Sequence, residues 1–325
     1  MSGKIYDLII VGGGPCGLAC GIEAQKAGLD YLILEKGSIA ESIRKYPNQM
    51  NFFSTARNIE IGGLPMAVAE AKANRNEALK YYRRVTEYFQ LKIQLYTVVQ
   101  QIQKTDQGFI VSTDKNQSFS AKNVVLATGY FDCPRSLNIP GEGLPHVSKY
   151  YDEPYKYALS KVIIVGGGNS AVSTALDLYH NGADVMMIIR KDDFKPTAKY
   201  WLVPDLKNRI KEGNIKVRFN SVVTRIDKGK IWIQEKGISE EQVIPADFVL
   251  LLVGYTSDVA LLNGAGVETN PDDLVPKYNP ETFETNVPGL YLAGTVVCGI
   301  HTEKIFIENG RHDGAKIVGH ILGKK

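Results

Sequence analysis

The chain has 325 residues, of which 44% are hydrophobic, and this is enough for two domains of ordinary size with buried cores. Its 38 basic and 35 acidic residues give a formal net charge of +3, so no charge excess favours nucleic acid or an anionic membrane surface as a partner. We therefore expect a protein that acts on small molecules.

The chain begins with a short apolar stretch that predicts a buried strand over residues 8–11. It ends in glycines and is too short for a signal peptide or a membrane span, so we expect a cytoplasmic protein. The cysteines form no CxxC pair and no metal-ligand pattern, which predicts neither a disulfide framework nor a metal site. They are Cys16, Cys20, Cys133 and Cys298.

A glycine-rich turn follows this strand, with Gly12, Gly14 and Gly17 before a helix that ends near residue 28. The glycines permit a tight turn, a close approach of backbone N–H groups to a pyrophosphate, and close packing of helix on strand. The helix N-terminus favours the same anion. The second strand ends at Glu35, which can accept hydrogen bonds from both ribose hydroxyls and would repel a 2′-phosphate. This βαβ unit therefore predicts an FAD site.

The middle of the first half predicts an amphipathic helix over residues 76–91 and a meander of short strands over 93–127. The Ala-Thr-Gly segment at 127–129 follows the last of these strands. The residues that we expect to contact FAD are Gly12, Gly14, Pro15, Cys16, Gly17, Glu35, Lys36, Ser42, Met50, Thr128, Gly129, Gly294, Thr295, Lys304 and Ile305.

A second βαβ unit begins at Gly166 and repeats the same pattern, with a base where the first unit has Glu35. A guanidinium at Arg190 can hold a phosphate through two hydrogen bonds, and Lys191 adds positive charge, so this unit favours NADPH over NADH. A solvated basic strand end is the alternative interpretation. The residues that we expect to contact NADPH are Gly166, Gly168, Asn169, Ser170, Ala171, Arg190 and Lys191.

After the second unit we expect a helix over 201–211, strands over 215–233 and 248–253, a strand at 289–294 and a final helix over 302–322. The final helix would direct its N-terminus, near Glu303 and Lys304, at the pyrimidine edge of the isoalloxazine. The predicted fold is α/β, with two Rossmann-like dinucleotide-binding domains of three-layer ββα type. The FAD domain is discontinuous, over 1–132 and 255–325, and the NADPH domain occupies 133–254.

The chain contains, in this order, the segments GGGPCG, FFSTARNIEIGG, VVLATG, GGGNSA, TNVPGLYLAG and IFIENGR. This layout resembles the low-molecular-weight thioredoxin reductase-like flavoproteins. Within them the chain is most similar to the YpdA group of bacillithiol disulfide reductases. The resemblance covers essentially the whole chain. It implies an FAD- and NADPH-dependent homo-oligomer, a dimer or tetramer, that reduces the disulfide of a small thiol together with a small redoxin partner.

The chain departs from these relatives at the redox cysteines. Thioredoxin reductases have a CxxC in the NADPH domain, whereas only Cys133 follows Gly129 here. The cysteine pair that the glutathione reductase group keeps between the positions of Glu35 and Gly62 is also missing from the sequence. Thr295 stands where most relatives have an acid that hydrogen-bonds the flavin, which predicts a weaker or water-mediated contact. A dithiol relay is therefore not expected.

Three side chains are candidates for catalysis. By resemblance Cys16 is the candidate thiol, although a helix N-terminus stabilises a thiolate by only about 0.3–1 kcal/mol and the adjacent pyrophosphate opposes it; the alternative is a small space-filling residue. Cys298 precedes the final helix near the flavin, or is a buried apolar side chain. His301 is a candidate proton donor, or a capping or surface residue. Cys20 and Cys133 are expected to be structural.

Three other functions remain open. A flavin monooxygenase is suggested by Ile139-x-Gly141 followed by His146 and Tyr150, with imperfect spacing. A ferredoxin–NADP reductase of thioredoxin reductase type is the second alternative, because those enzymes also lack CxxC. A non-enzymatic flavin-linked redox sensor is the third, but a complete second βαβ unit favours a coenzyme that turns over.

Overall fold

The computed structural model describes residues 4–323, and they form two compact units. Among these residues, the first unit comprises 4–133 and 255–323, and the second comprises 134–254. Each unit contains its own pair of hydrophobic clusters, so that no cluster draws residues from both units. Each therefore has the buried core that an independent domain requires.

The bounds of the secondary-structure elements follow in chain order. The helices are α1 (Pro15–Lys26), α2 (Glu41–Arg44), α3 (Arg75–Tyr88), α4 (Asn169–His180), α5 (Val203–Lys211), α6 (Val259–Gly264), α7 (Ile307–Gly310) and α8 (Asp313–Gly323), with 3-10 turns at Ala56–Ile59, Tyr155–Tyr157 and Gly294–Cys298. The strands are β1 (Ile5–Val11), β2 (Tyr31–Leu34), β3 (Ile93–Gln94), β4 (Val99–Thr105), β5 (Gly108–Thr113), β6 (Ser118–Leu126), β7 (Val147–Ser148), β8 (Lys161–Val165), β9 (Asp184–Ile188), β10 (Lys216–Arg218), β11 (Ser221–Asp227), β12 (Lys230–Glu235), β13 (Gln242–Pro245), β14 (Phe248–Leu251) and β15 (Leu290–Leu292).

In the first unit β3, β2, β1 and β6 lie side by side as parallel strands, and β15 pairs with β6 in the same direction. The antiparallel strands β4 and β5 continue from β6 as the predicted meander. One cluster packs α1, α3 and α8 against one face of the sheet, and a second fills the space towards the meander. The carboxyl ends of β1, β6 and β15 therefore meet at one edge, where dinucleotides bind in such sheets.

The second unit repeats this plan with a parallel sheet in the order β10, β9, β8, β14 and β7. A separate antiparallel meander of β11, β12 and β13 forms its third layer. One cluster lies between the parallel sheet and α4, and another lies between that sheet and the meander. The prediction of two three-layer ββα domains is thus matched by the layering of both units.

The helix predicted over residues 76–91 is observed as α3, which spans Arg75–Tyr88. A capping box starts this helix one residue earlier than predicted. The Asn74 side chain accepts a hydrogen bond from the Glu77 amide at 2.9 Å, and the Glu77 carboxylate accepts one from the Asn74 amide at 2.8 Å. These two bonds satisfy backbone donors that have no partner within the helix.

The prediction of a single final helix over residues 302–322 was wrong. Residues 301–306 form turns and an extended residue, and the helical part is divided into α7 and α8. The Asn309 side chain accepts a hydrogen bond from the Phe306 amide at 2.9 Å, which places the start of α7 after Phe306. Glu303 and Lys304 therefore do not form a helix N-terminus.

The chain passes between the units at two neighbouring points. The Arg135 amide donates to the Gly254 carbonyl at 2.9 Å, which brings the two ends of the second unit together. The Thr256 amide donates to the Cys133 carbonyl at 3.0 Å, which joins the two ends of the first unit in the same way. The second unit is thus inserted into the first through two neighbouring connecting segments, 133–135 and 254–256.

Among residues 4–323, no helix combines the length and apolarity needed to cross a bilayer. The same residues bring no group of three or more His, Cys, Asp or Glu side chains together as metal ligands.

Candidate functional site

The first glycine-rich turn has the geometry of a pyrophosphate cradle. Gly12 has a φ of +113°, and a Cβ there would lie 2.5 Å from the Ala127 carbonyl oxygen, so only glycine fits. A Cβ at Gly17 would collide with the Gly12 carbonyl. Gly14 is the N-cap of α1, and the space beside it is open, with no atom within 4 Å of an added Cβ. An anion can therefore approach the helix N-terminus at Gly14.

Glu35 lies directly after β2 and is 5% exposed. One carboxylate oxygen accepts from the Gly13 amide at 2.5 Å, and the other accepts from the Gly37 amide at 2.7 Å. Burial raises the pKa of Glu35, and the two amide donors oppose that rise. Because each carboxylate oxygen can accept a second hydrogen bond, the group remains suited to ribose hydroxyls. The residues present fit the adenosine half of FAD.

The other residues expected near the first half of FAD have different environments. Lys36 pairs with Asp132 at 2.8 Å, and Lys45 pairs with the second oxygen of the same carboxylate at 2.8 Å. Ser42 is part of α2 and is half-buried, while Met50 packs against the core of the first unit. Lys36 thus pairs with Asp132, a residue that was not predicted to belong to the site.

The segments that follow β6 and β15, each of which the sequence predicts to contact the flavin, lie close together. These strands are parallel neighbours, with Leu126 opposite Leu292. A Cβ at Gly129 would lie 3.4 Å from the Thr295 hydroxyl oxygen, so Thr128, Gly129 and Thr295 share one region.

Cys16 lies in the first turn of α1, and its sulfur packs against the two glycines that flank the last loop. A Cβ added at Gly294 would lie 2.6 Å from the Cys16 Sγ, and one added at Gly310 would lie 2.8 Å from it. The backbone amide of Gly294 donates to the Asp313 carboxylate at 2.7 Å. Burial, and then the charge of Asp313, raise the pKa of the Cys16 thiol far above its ordinary value. The thiol is therefore protonated at neutral pH.

The remaining cysteines are all free thiols. Cys298 ends the 3-10 turn after β15 and is buried, and burial raises its pKa to about 11. Cys20 is completely buried in α1, which agrees with its expected structural role, and Cys133 is half-buried. His301 lies between two acids, with Nε2 at 3.3 Å from Asp273 and Nδ1 at 3.9 Å from Glu303.

Lys304 and Ile305, two further expected FAD contacts, are in the turn region before α7. The Lys304 amide donates to the His301 carbonyl at 3.1 Å, and the Ile305 amide donates towards the Cys298 sulfur. Turns therefore hold the backbone of both residues. The helix N-terminus that was expected here to face the isoalloxazine is absent.

The second glycine-rich turn repeats the first. A Cβ at Gly166 would collide with the Leu252 carbonyl, and Gly168 is the N-cap of α4. Ala171 is completely buried where the first turn has Gly17, while Ser170 belongs to the first turn of α4. This turn therefore also exposes a helix N-terminus at the end of a parallel strand.

Arg190 and Lys191 are exposed just after β9, at the same sheet edge as this turn. The chain then folds back over the turn, since the Lys195 amide donates to the Gly167 carbonyl at 2.9 Å. The Asn169 side chain accepts from the Lys199 amide at 2.7 Å. Asn169 therefore holds this segment, a role that the sequence pattern did not predict.

Two residues of the site were missed in the sequence. Asp313 is 7% exposed and reaches Gly294, although it begins a separate helix 18 residues beyond Thr295 in the chain. Arg311 donates to the carbonyl oxygens of Arg57 at 2.9 Å and Glu60 at 2.6 Å, and so fastens α7 to the 3-10 turn Ala56–Ile59. Both belong to the segment GRHDG, whose charged residues read as an exposed helix face.

Comparisons with known proteins agree with this architecture. A family profile described as pyridine nucleotide-disulphide oxidoreductase matches residues 9–294. Bacilliredoxin reductase Bdr from Bacillus subtilis (strain 168) is 36% identical over 318 residues, which cover 98% of this chain and 98% of that protein.

Two solved structures show the same fold. Bacillithiol disulfide reductase Bdr (YpdA) from Bacillus cereus has a TM-score of 0.96 at 35% identity, and the match covers 99% of this chain and 100% of that one. Thioredoxin reductase from T. acidophilum has a TM-score of 0.78 at 22% identity over 99% of both chains, which is a likeness of fold alone. The fold is therefore thioredoxin reductase-like, as the sequence predicted.

Proposed function

Because this chain belongs to the pyridine nucleotide-disulphide oxidoreductase family, we propose that it passes electrons from NADPH to bacillithiol disulfide. As a member of that family it is an FAD- and NADPH-dependent flavoprotein disulfide reductase. The end-to-end similarity to the Bdr proteins is the observation that supports bacillithiol disulfide as the substrate.

The two nucleotides are assigned to the two units by their turns. The first unit would hold FAD through Gly12, Gly14 and Glu35, and the second would hold NADPH through Gly168 and Arg190. FAD, when bound, accepts a hydride from the nicotinamide and supplies two electrons to the disulfide. The protein contributes two open helix N-termini for the pyrophosphates, a carboxylate for the ribose and a guanidinium for the 2′-phosphate.

We place the reacting thiol at Cys16. After loss of its proton, the Cys16 sulfur would attack the substrate, form a mixed disulfide and release one thiolate. Two electrons from NADPH, passed through the flavin, would then reduce that mixed disulfide and release the second thiol. Cys20 and Cys298 are buried, and the four cysteines are all free, so no preformed disulfide competes with this route. The position of Cys16 in the nucleotide turn supports this assignment.

The test measures NADPH oxidation with a panel of acceptors, namely bacillithiol disulfide, glutathione disulfide, a ferredoxin and oxygen alone. We expect turnover with bacillithiol disulfide and little with the others. Oxygen-dependent oxidation with a stabilised peroxyflavin spectrum would indicate a monooxygenase instead, and ferredoxin-dependent cytochrome reduction would indicate a ferredoxin–NADP reductase.

The matched variants are Cys16→Ala and Cys20→Ala, two cysteines one helical turn apart in α1. We expect the first to lose at least about 100-fold in disulfide reduction, in line with loss of a nucleophile, and to keep flavin reduction by NADPH. The second is expected to keep both activities. Undiminished disulfide reduction in Cys16→Ala would exclude Cys16 as the reacting thiol.

Three further features are proposed from the resemblance alone. We expect a homo-oligomer, a small redoxin that accepts electrons through the reduced thiol, and a cytoplasmic location. Sedimentation of the FAD-loaded protein tests the first, and a coupled assay with an oxidised bacilliredoxin tests the second.

A further inference from the structure

The carboxyl of Asp313 is a buried titratable group that the proposed function does not use. It lies at the start of α8, and burial raises its pKa to about 6. Its hydrogen bond comes from the Gly294 amide, and the cation that acts on it is Lys316, an exposed residue of the same helix. A carboxylate is thus kept in a largely dry position without a buried cation beside it.

Asp313 and Cys16 face the same small space. The position of a Cβ on Gly310 lies 2.8 Å from the Cys16 Sγ and 3.6 Å from an Asp313 carboxylate oxygen. Because both neighbours are glycines, no side chain separates the sulfur from the carboxylate, and the two groups act on each other through a packed region of low dielectric.

The other titratable groups that face Asp313 are weak acids. Cys20 comes from α1, Cys298 from the 3-10 turn after β15, and Tyr278 from the loop before that strand. Burial raises the pKa of each of these groups, so all three are neutral near pH 7. Tyr46 and Tyr82 interact with Cys16, and burial raises the pKa of both, so they are neutral as well. The charge of the cluster is therefore decided between Asp313 and Cys16.

We propose that Cys16 and Asp313 share a single negative charge, and that Asp313 is the positioning residue that controls the proton of the Cys16 thiol. Two charges in one dry space are unfavourable, so the thiolate forms only when Asp313 is neutral. In the step itself the S–H bond breaks, its electron pair stays on sulfur and its proton leaves to solvent, while the Asp313 carboxylate takes up a proton from solvent. The net charge of the space is unchanged, and the reverse transfer restores the thiol. This inference rests on the proposed function only for the use made of the thiolate.

The decisive variant is Asp313→Asn in the FAD-loaded protein. Asparagine still offers an oxygen to the Gly294 amide, but it has no charge and cannot take the proton. The measurement is the rate at which an uncharged alkylating reagent, iodoacetamide, modifies Cys16 between pH 6 and 9, resolved by mass spectrometry. We expect the rate at pH 8 to rise by about tenfold or more, since a change of one pKa unit changes the thiolate fraction tenfold.

Cys133 is the internal reference, because Asp313 does not act on it. Asp273→Asn, which removes a carboxylate elsewhere in the first unit, is the matched control and should leave Cys16 unchanged. An unaltered Cys16 rate in Asp313→Asn, an undetectable rate in both proteins, or an equal rise at Cys16 and Cys133 would each overturn the proposal.

Turnover separates this proposal from the proposed function. If Cys16 is the reacting thiol, Asp313→Asn should raise the rate of disulfide reduction at pH 8 together with the alkylation rate and abolish the dependence of kcat on a group of pKa near 6, while flavin reduction by NADPH stays normal. If Cys16→Ala retains full turnover but the alkylation result holds, the charge sharing stands and the catalytic assignment of Cys16 fails.

Discussion

At the scale of single residues, charge distinguishes the two nucleotide sites. Glu35 directly follows β2, and the residue in the same place after β9 is Ile189. Arg190 therefore lies one position further on and corresponds to Lys36. Glu35 is buried and held by two backbone amides, whereas Arg190 is exposed and available to an incoming phosphate. An acid selects ribose hydroxyls and a guanidinium selects a phosphate, so two neighbouring positions after the second strand of each unit account for both preferences.

Arg190→Ala should therefore weaken NADPH and spare NADH. Loss of charge-assisted hydrogen bonds of about 1.5–3 kcal/mol corresponds to a rise of about 10- to 150-fold in the KM for NADPH. Steady-state kinetics with both coenzymes measure this change. Lys228→Ala, which removes an exposed cation elsewhere in the second unit, is the control and should change neither KM. A wild-type protein that used the two coenzymes equally would contradict the assignment.

At the scale of elements, α7 and α8 are placed by the contacts of their glycines. Gly310 ends α7 directly beneath the Cys16 sulfur, and a Cβ there would lie 2.8 Å from both that sulfur and the Gly294 Cα. Gly319, in the middle of α8, has no atom within 4 Å of an added Cβ. Close packing therefore requires glycine at position 310 but not at position 319, although both residues lie in the C-terminal helical segment.

Gly310→Ala should destabilise the first unit by about 1–3 kcal/mol, because the added methyl overfills a packed position. Urea unfolding of the FAD-loaded protein, followed by flavin fluorescence, measures the change. Adding Cys16→Ala should recover part of that loss, since it removes one of the two colliding atoms. Gly319→Ala should be neutral or stabilising by up to about 1 kcal/mol. Equal effects at the two glycines would show that packing around Cys16 is not limiting.

Many of the helices and strands were predictable, because they depend on local sequence patterns. The βαβ units, the meander and α3 follow from apolar periodicity, whereas the capping box at Asn74 that starts α3 was not predicted. The start of α7 after Phe306 was not predictable, since it depends on a hydrogen bond to the Asn309 side chain. The pairing of Asp313 with Gly294 joins residues from separate elements, and one sequence contains no sign of such a tertiary contact.

At the scale of the whole molecule, the two units have separate cores and separate sheets. The resemblance to thioredoxin reductase-like flavoproteins was confirmed over nearly the full length. The assignment of FAD to the discontinuous unit and of NADPH to the inserted one stays a prediction, as do the individual contact residues.

The two units should therefore fold separately. A protein in which Cys133 is joined to Tyr255 by a short Gly-Ser linker should be yellow, with one FAD per chain, and should not be reduced by NADPH. Residues 134–254 alone should be colourless and should quench or enhance NADPH fluorescence on binding. Absorbance spectra and fluorescence titration measure both outcomes. A joined first unit that is soluble but takes up no FAD would contradict the assignment.

The adjacent crossings at 133–135 and 254–256 also bear on how such a chain can arise and change. One uninterrupted coding segment, inserted at a single site in the gene of an ancestral one-nucleotide protein, would produce this connectivity without rearranging either sheet. The same feature allows the coenzyme module to be exchanged by homologous replacement, so that the source of reducing power can evolve while the acceptor chemistry is inherited intact.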